Sequence, residues 1–191
     1  DVLNSTVPIA VYVTPAGARA DSAGTYILLS AHIAAMTPTT HLGAATPVPL
    51  ISGDQGEDTD ESEAAPAMDM KIMNDSVSYI RGLAERHGRN ADWAEKAVTE
   101  AATLTATEAL EQNVIDFVAG NRGELMGMLD GHQIDVAGEP RTLSTDTVEF
   151  VAFEADWRIR LLAVISNPEI VLLLGLIGLY GLMYEGWNPG A

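Results

Sequence analysis

The chain has 191 residues, with 27 acidic side chains against 10 Lys and Arg, and its formal net charge is -17 at pH 7. Hydrophobic residues make up 47% of it, and cysteine is absent. This length and apolar content suffice for a domain with a buried core, and they exclude a disordered chain. The absence of cysteine excludes disulfides, thiolate zinc sites and a cysteine nucleophile. The acidic balance argues against a nucleic-acid partner, which would require a basic surface.

The first 51 residues predict a strand, a helix and a second strand, separated by loops. Residues 7–14 form a short apolar, β-branched run that is typical of a buried strand. Residues 15–21 are rich in turn formers and predict a loop. Residues 25–34 are apolar on all sides, which predicts a buried helix, and Ile33–Met36 is a candidate short strand. Residues 37–51 are rich in Thr, Gly and Pro and predict a loop.

An acidic segment and two helices are predicted next. Residues 54–63 contain six acidic side chains and no apolar one. Such a run repels itself and buries no surface, so we expect a mobile, solvated loop. Residues 70–87 carry an apolar stripe at helical spacing, and Gly88 is a candidate helix end. Residues 91–101 predict a second helix.

The remaining part of the domain predicts alternating short helices and strands. Thr105 and Glu108 have the spacing of a capping box, in which each side chain bonds to the other residue's backbone amide. A strand at 114–118 and a helix at 121–129 follow. Two further strands, at 133–136 and 147–151, complete the pattern. Alternation of this kind favours an α/β fold.

The C-terminal part is almost without charge. Residues 170–184 contain no charged side chain, and Tyr180, Tyr184 and Trp187 stand where an aromatic belt is expected. We predict an amphipathic linker over 153–168 and a transmembrane helix over 169–187. A buried core helix is the alternative, but its glycines fit a membrane helix better. Because there is no initiator methionine or signal peptide, we expect a fragment that is truncated at both ends.

Ser22 and Lys71 are the candidate catalytic side chains. Ser22 precedes the predicted buried helix and is followed by small residues, so free backbone amides at the helix start could stabilise an oxyanion. An ordinary N-cap serine fits the same pattern. Lys71 lies at the start of the predicted 70–87 helix in an apolar setting, and both features favour a neutral amine that can act as a base. A solvated surface lysine is the alternative, and Lys96 fits that description because Glu95 and Glu100 are close to it.

The four histidines do not form a metal-binding pattern. None of His32, His41, His87 and His132 belongs to an HExxH-type pair, so no metal site or cofactor is predicted. His32 is expected to be a core histidine, and His87 is expected to interact with the end of its helix.

Five segments in order resemble the NfeD family of membrane-bound serine proteases. They are the run Arg19-Ala20-Asp21-Ser22-Ala23-Gly24-Thr25-Tyr26-Ile27, the Gly43-Ala44-Ala45-Thr46-Pro47 segment, the Lys71 helix up to Gly88-Arg89-Asn90, the segment from Leu104-Thr105 to Val114-Ile115-Asp116, and the apolar region up to Asn188-Pro189-Gly190. The resemblance covers nearly the whole chain. It implies a Clp-protease/crotonase-like α/β fold over residues 1–152, with the N-terminal part missing.

The resemblance also implies the site and its chemistry. Ser22 matches the nucleophile, Lys71 the general base of a Ser–Lys dyad, and the backbone amide of Ala23 an oxyanion donor. The family's second oxyanion donor lies upstream of the strand at 7–14. Asp21 stands where the family has a small residue, and a carboxylate there would pair with Lys71 or hold its ammonium charged.

The predicted function is therefore that of a membrane-anchored serine endopeptidase that cleaves apolar segments of a stomatin/prohibitin-like membrane partner. The resemblance implies an extracytoplasmic protease domain and a homodimer. A non-catalytic membrane scaffold that binds a stomatin-like protein is the alternative. An acyl-CoA enzyme of the crotonase type is disfavoured, because the residues around Ser22 include neither the glutamates nor the basic groups that it requires.

Overall fold

The computed structural model describes residues 2–47, 64–153 and 156–187. They belong to two compact units, Asp1–Val148 and Glu149–Ala191. The acidic segment 54–63, predicted to be mobile, lies outside the described residues, as do residues 188–191.

A three-stranded parallel sheet forms the centre of the first unit. Strand β1 (Ala10–Val13) pairs with β3 (Ile33–Met36), which pairs in turn with β6 (Phe117–Val118). All four residues of β3 are buried, as expected for the central strand of a parallel sheet. The predicted strands at 7–14 and 33–36 are thus confirmed, whereas only the end of the 114–118 run is a strand.

A second three-stranded sheet consists of three strands that the sequence pattern did not predict. Strand β2 (Arg19–Asp21) lies parallel to β4 (His41–Gly43), and β4 lies antiparallel to β5 (Thr103–Thr105). The loops predicted at 15–21 and 37–51 were therefore wrong at these positions. Three-residue strands are too short to show a periodicity, and their pairing joins segments that are distant in the chain.

The described helices of the first unit are α1 (Ala23–Ser30), α2 (Ala64–Arg86), α3 (Ala91–Thr99), α4 (Ala106–Glu111) and α5 (Arg122–Leu129). The predicted capping box is present, since Thr105 Oγ1 accepts the Glu108 amide proton while the Glu108 carboxylate accepts the Thr105 amide proton. Gly88 follows the end of α2 with φ +67, as a helix-terminating glycine does. Helix α1 ends at Ser30, four residues before the predicted end.

A hairpin closes the first unit. Strands β7 (Gln133–Val136) and β8 (Glu139–Thr142) are antiparallel and are joined by Ala137 and Gly138, both with positive φ. This two-residue turn lets β7 pair with β8, which follows it directly in the sequence. The strand predicted at 147–151 was therefore wrong, and β8 takes its place.

The described residues of the second unit contain two helices. They are α6 (Trp157–Ile165) and α7 (Pro168–Trp187). Helix α7 is long and apolar enough to span a membrane, with a mean hydropathy of 1.6, and none of its residues is buried. In α6, Arg158 and Arg160 are two residues apart and so point to opposite sides, which leaves the helix without a single polar face.

Candidate active site

Ser22 occupies a strained turn between a strand and a helix. Strand β2 ends at Asp21 and α1 begins at Ala23, and Ser22 between them has φ 51° and ψ -117°. A residue with a side chain is rarely found with this backbone conformation, which costs about 1–3 kcal/mol. The side chain is exposed and makes no capping hydrogen bond. A sharp strand-to-helix turn of this kind presents a serine hydroxyl to substrate in hydrolases.

Strand β4 holds this turn in place. The Ser22 amide donates to Gly43 O at 3.0 Å. The buried Thr25 hydroxyl donates to Ala20 O at 2.6 Å and accepts from the Gly43 amide at 3.0 Å. A Cβ on Gly43 would lie 2.1 Å from Ala102 O, and its φ is +129°, so only glycine fits here. The strain at Ser22 is thus maintained by backbone contacts with its neighbouring strand.

Ala23 begins helix α1 and is exposed. The amides in the first turn of a helix have no acceptor within that helix, and the helix dipole makes this end partly positive. The Ala23 amide is therefore suited to receive a developing oxyanion next to the Ser22 hydroxyl.

Lys71 lies inside α2, not at its start. The helix begins at Ala64, so Lys71 is about two turns from the N-terminus and the helix end does not act on its amine as the sequence predicted. Its side chain is exposed. No hydrogen bond joins Lys71 to Ser22 in the described part of the chain.

Helix α1 contacts both α2 and the residue that directly follows it. The Tyr26 and Tyr79 rings stack with centroids 5.9 Å apart, and His87 Nε2 lies 3.3 Å from Ser30 O. Burial raises the pKa of the Tyr26 hydroxyl, although a hydrogen bond with Ser76 opposes this shift. The two contacts follow one another in the same order along both segments, so α1 and α2 run in roughly the same direction.

A cleft of about 230 Å³ lies beside the Lys71 turn of α2. It is lined by Pro47, Asp69, Ile72 and Met73. Pro47 belongs to the segment that continues from Gly43, the residue whose carbonyl accepts the Ser22 amide proton. Residues on both sides of Lys71 in sequence therefore border the segment that follows Gly43, the residue to which the Ser22 turn is hydrogen-bonded.

Asp21 faces a histidine. Asp21 Oδ1 lies 3.6 Å from His41 Nε2, and each side chain is a little over one-third exposed. The sequence had suggested a contact between Asp21 and Lys71, and the described residues show no such ion pair. His41 carried no signal in the sequence, because its proximity to Asp21 depends on the pairing of β2 with β4.

An ion pair with a buried arginine supports the other end of α1. Arg89 Nη2 lies 2.7 Å from Asp116 Oδ2, and the Arg89 side chain is 1% exposed. Arg89 also donates to Leu29 O at 2.9 Å, and Asp116 accepts the Ala34 amide proton at 2.7 Å. This pair joins the last turn of α1 to β3. The sequence pattern placed both residues in family-like segments without assigning them a role.

The other histidines do not form a metal site. No group of three or more His, Asp or Glu side chains could hold a metal ion in the described ranges. The pKa of His32 is lowered by burial and then by the charge of Arg86, and that of His87 by burial and then by Arg89. His32 Nδ1 accepts the Ile9 amide proton at 3.2 Å, which fits a neutral ring.

Comparison with curated proteins gives one close relative. No family model matches the sequence. The membrane-bound protease PH1510 of Pyrococcus horikoshii is 36% identical over 191 residues, which is 99% of this chain. The chain spans 42% of the length of that protein.

Solved structures of a stomatin-specific protease share the fold. The membrane-bound stomatin-specific protease 1510-N, in a lysine-to-alanine mutant bound to a substrate peptide, superposes with a TM-score of 0.71 at 36% identity, covering 86% of this chain and 72% of that one. A serine-to-alanine mutant gives 0.69 at 35% identity, covering 81% and 72%. The 1510-N structure described as specific for a stomatin homolog from Pyrococcus horikoshii gives 0.68 at 32%, covering 87% and 71%. The α/β, Clp-protease-like fold predicted from the sequence is confirmed, and the chain belongs to the NfeD-type family of membrane-bound proteases.

Proposed function

We propose that this chain carries the nucleophile and base of a membrane-anchored serine endopeptidase, in which Ser22 attacks the peptide bond and Lys71 is the general base. The observation that carries the proposal is the strained turn at Ser22, which exposes the hydroxyl at the start of α1. A turn that costs about 1–3 kcal/mol and leaves its serine uncapped suits a nucleophile better than a structural N-cap.

The contacts between α1 and α2 support the pairing of Ser22 with Lys71. Tyr26 of α1 stacks on Tyr79 of α2, and Ser30, the last residue of α1, lies against His87, which directly follows α2. Toward the N-terminus from the tyrosine pair, Ser22 lies about one turn before Tyr26 and Lys71 lies about two turns before Tyr79, so both are on the same side of that contact.

The relatives support the same pair. Their solved structures include a serine-to-alanine and a lysine-to-alanine mutant. In those relatives, the number of residues from the mutated serine to the mutated lysine can be compared with the spacings in this chain. It is closer to the spacing from Ser22 to Lys71 than to the spacing from Ser22 to Lys96.

In the proposed mechanism, neutral Lys71 takes the Ser22 proton as Oγ attacks the substrate carbonyl. The Ala23 amide donates to the oxyanion, Lys71 protonates the leaving amine, and water hydrolyses the acyl-enzyme. Because Lys71 is exposed, the substrate itself would cover it and exclude water from the dyad.

The proposed substrate is an apolar segment of a stomatin-like membrane protein, in keeping with the stomatin specificity named for the relatives. Helix α7 would anchor the enzyme close to such a partner. The proposal includes a homodimer and an extracytoplasmic location of the domain, which light scattering in detergent and protease accessibility in oriented vesicles would test.

The decisive experiment measures hydrolysis of a fluorogenic apolar peptide by the full chain in detergent. Ser22→Ala and Lys71→Ala should each lower kcat/KM by at least about 10²-fold, whereas Lys96→Ala, a change at an exposed lysine on α3, should have no effect. Labelling by a fluorophosphonate, located by mass spectrometry, should be at Ser22. Unchanged hydrolysis in Ser22→Ala would refute the proposal, and absence of both labelling and hydrolysis with retained binding of a stomatin-like protein would favour the scaffold.

A further inference from the structure

The second unit exposes apolar side chains well before α7 begins. Phe153 is 94% exposed and Trp157 is 65% exposed, and no residue of α6 is buried. Residues 161–165, the second half of that helix, are all apolar. Exposed apolar surface of this extent marks an interaction site, so the segment before α7 needs a covering that the described residues do not supply.

The length of α7 indicates what covers this segment. Helix α7 has 20 residues and is therefore about 30 Å long, which matches the hydrocarbon thickness of a bilayer. It needs no contribution from α6 to span the membrane. Two residues separate Ile165, the end of α6, from Pro168, the start of α7, so α6 ends within about 10 Å of the hydrocarbon.

Polar groups mark the boundary between the two helices. Asn167 Oδ1 accepts the Glu169 amide proton at 2.9 Å, and Ser166 directly precedes this cap. Charged and polar side chains are unfavourable in hydrocarbon, so this junction belongs to the headgroup region of the bilayer that α7 is proposed to span. Helix α6, which leads into the junction, is therefore covered by the same headgroup region.

The charges of α6 fit lipid phosphates. Arg158 and Arg160 lie in its first turn, and they are the only Lys or Arg in the sequence after Arg141. The Arg158 guanidinium lies 5.7 Å from the centre of the Trp157 ring, and the neighbouring Asp156 carboxylate accepts the Trp157 amide proton at 2.7 Å. Tryptophan and arginine are both favoured at a membrane interface, where the ring sits among the headgroups and the guanidinium reaches the phosphates.

The distribution of these side chains along α6 favours an oblique helix. Arg158 and Arg160 point to opposite sides, so a helix lying flat would not present both from one polar face. With its first turn at the level of the phosphates, both arginines reach them, and residues 161–165 enter the acyl boundary. Those five residues advance by about 8 Å, which lies within the depth of about 5–10 Å at which interfacial helices bury apolar side chains.

We propose that α6 is a binding surface for anionic phospholipid headgroups, in which Arg158 and Arg160 bind the phosphates and residues 161–165 enter the acyl boundary. The inference rests on the membrane anchoring by α7 in the proposed function, and it gives that anchor a lipid preference. Because the chain has a net charge of -17, an anionic surface repels most of it, and these two arginines supply the local attraction.

The first test locates α6 by spin labelling of the full chain in nanodiscs made of equal parts of phosphatidylcholine and phosphatidylglycerol. Because the chain has no cysteine, Leu162→Cys provides a single labelling site on α6. Leu176→Cys in α7 and Ser144→Cys, at an exposed residue of the first unit, are the controls. Collision with oxygen relative to a water-soluble nickel chelate should place the Leu162 label between the two controls. A Leu162 label as accessible to the chelate as the Ser144 label would overturn the inference.

The second test measures the lipid preference beside α6. A fluorophore on Ser166→Cys is quenched by phosphatidylglycerol or phosphatidylcholine that carries a nitroxide high on an acyl chain. Phosphatidylglycerol should quench more strongly at equal content, and replacement of each arginine by glutamine should weaken its association about fivefold at low salt. Arg158→Lys with Arg160→Lys is the matched control, because it keeps both charges and should keep most of the preference.

The outcomes separate this inference from the proposed function. Equal quenching by the two lipids, or a preference that survives glutamine at both positions, would overturn the inference alone. A Leu162 label that leaves water only when a stomatin-like protein is added would show that protein covers α6, and would overturn it as well. A Leu176 label in water would refute the membrane anchoring of the proposed function together with the inference.

Discussion

Replacing Ser22 with glycine should stabilise the folded chain while it removes the proposed nucleophile. Ser22 has φ 51° and ψ -117°, a conformation in which a Cβ is unfavourable and glycine is comfortable. Ser22→Ala is the natural reference, because it removes the hydroxyl but keeps the Cβ. Both variants should lack activity, so any difference in their stability reports on the backbone alone.

The expected magnitude follows from two opposing terms. Relief of the strain is worth about 1–3 kcal/mol. Glycine also makes the unfolded chain more flexible, which costs about 0.4–1 kcal/mol. Ser22→Gly should therefore exceed Ser22→Ala by about 1 kcal/mol in free energy of unfolding. For a chain of this size, that is a rise in Tm of about 2–4 °C.

The assay is thermal and urea unfolding of both variants in the same detergent, followed by circular dichroism. A matched pair at Ser144 provides the control. Ser144 is exposed, its φ is not positive, and its hydrogen bond to Asp146 is lost equally in the alanine and glycine variants. At this position, the glycine variant should have a free energy of unfolding about 0.4–1 kcal/mol lower than the alanine variant. A Ser22 pair that shows the same sign as the Ser144 pair would refute the argument that the turn stores strain.

Two further predictions concern the opposite end of α1. Arg89→Met should lower the free energy of unfolding by about 3–5 kcal/mol, because it leaves the Asp116 carboxylate without its partner and removes a donor from the last carbonyls of α1. In the same urea titration, the control Arg141→Met on the exposed strand β8 should leave the free energy of unfolding nearly unchanged. A cost below about 1 kcal/mol at Arg89 would contradict this reading. Because the pKa values of His32 and His87 are lowered in the folded chain, these two side chains bind protons more readily in the unfolded chain as the pH falls below about 6.5, so their contribution should decrease the free energy of unfolding from pH 7 to 5.5. The double variant with Gln at both histidines should flatten that slope, and an equally steep slope would show that other groups cause it.

Local signals in the sequence predicted several elements correctly. The capping box at Thr105 and Glu108 depends on atoms three residues apart, so the sequence carries all the information that it needs. The apolar stripe predicted α2, which the structure extends to Ala64. Helix α7 could also be predicted locally, because length and apolar content alone decide whether a helix can span a membrane.

The predictions failed where the structure depends on contacts between distant segments. The residues of β2 and β4 look like turns, and they are strands because Arg19–Asp21 aligns with His41–Gly43. Lys71 was predicted to lie at the start of a helix because the apolar stripe begins close to it, although the helix itself begins at Ala64. Periodicity reports which residues are buried, and it does not report where the backbone hydrogen bonds begin.

The sequence by itself indicated the family through five resembling segments, and that resemblance made Ser22 and Lys71 the candidate nucleophile and base. The apolar helix that follows the domain was predicted from residue types and length alone. Only the tertiary structure decided that Ser22 lies in a strained turn fastened to Gly43, that Asp21 faces His41, and that Arg89 closes the end of α1. Each of these depends on a pairing between segments far apart in the chain, and such a pairing is chosen by the packing of the whole core.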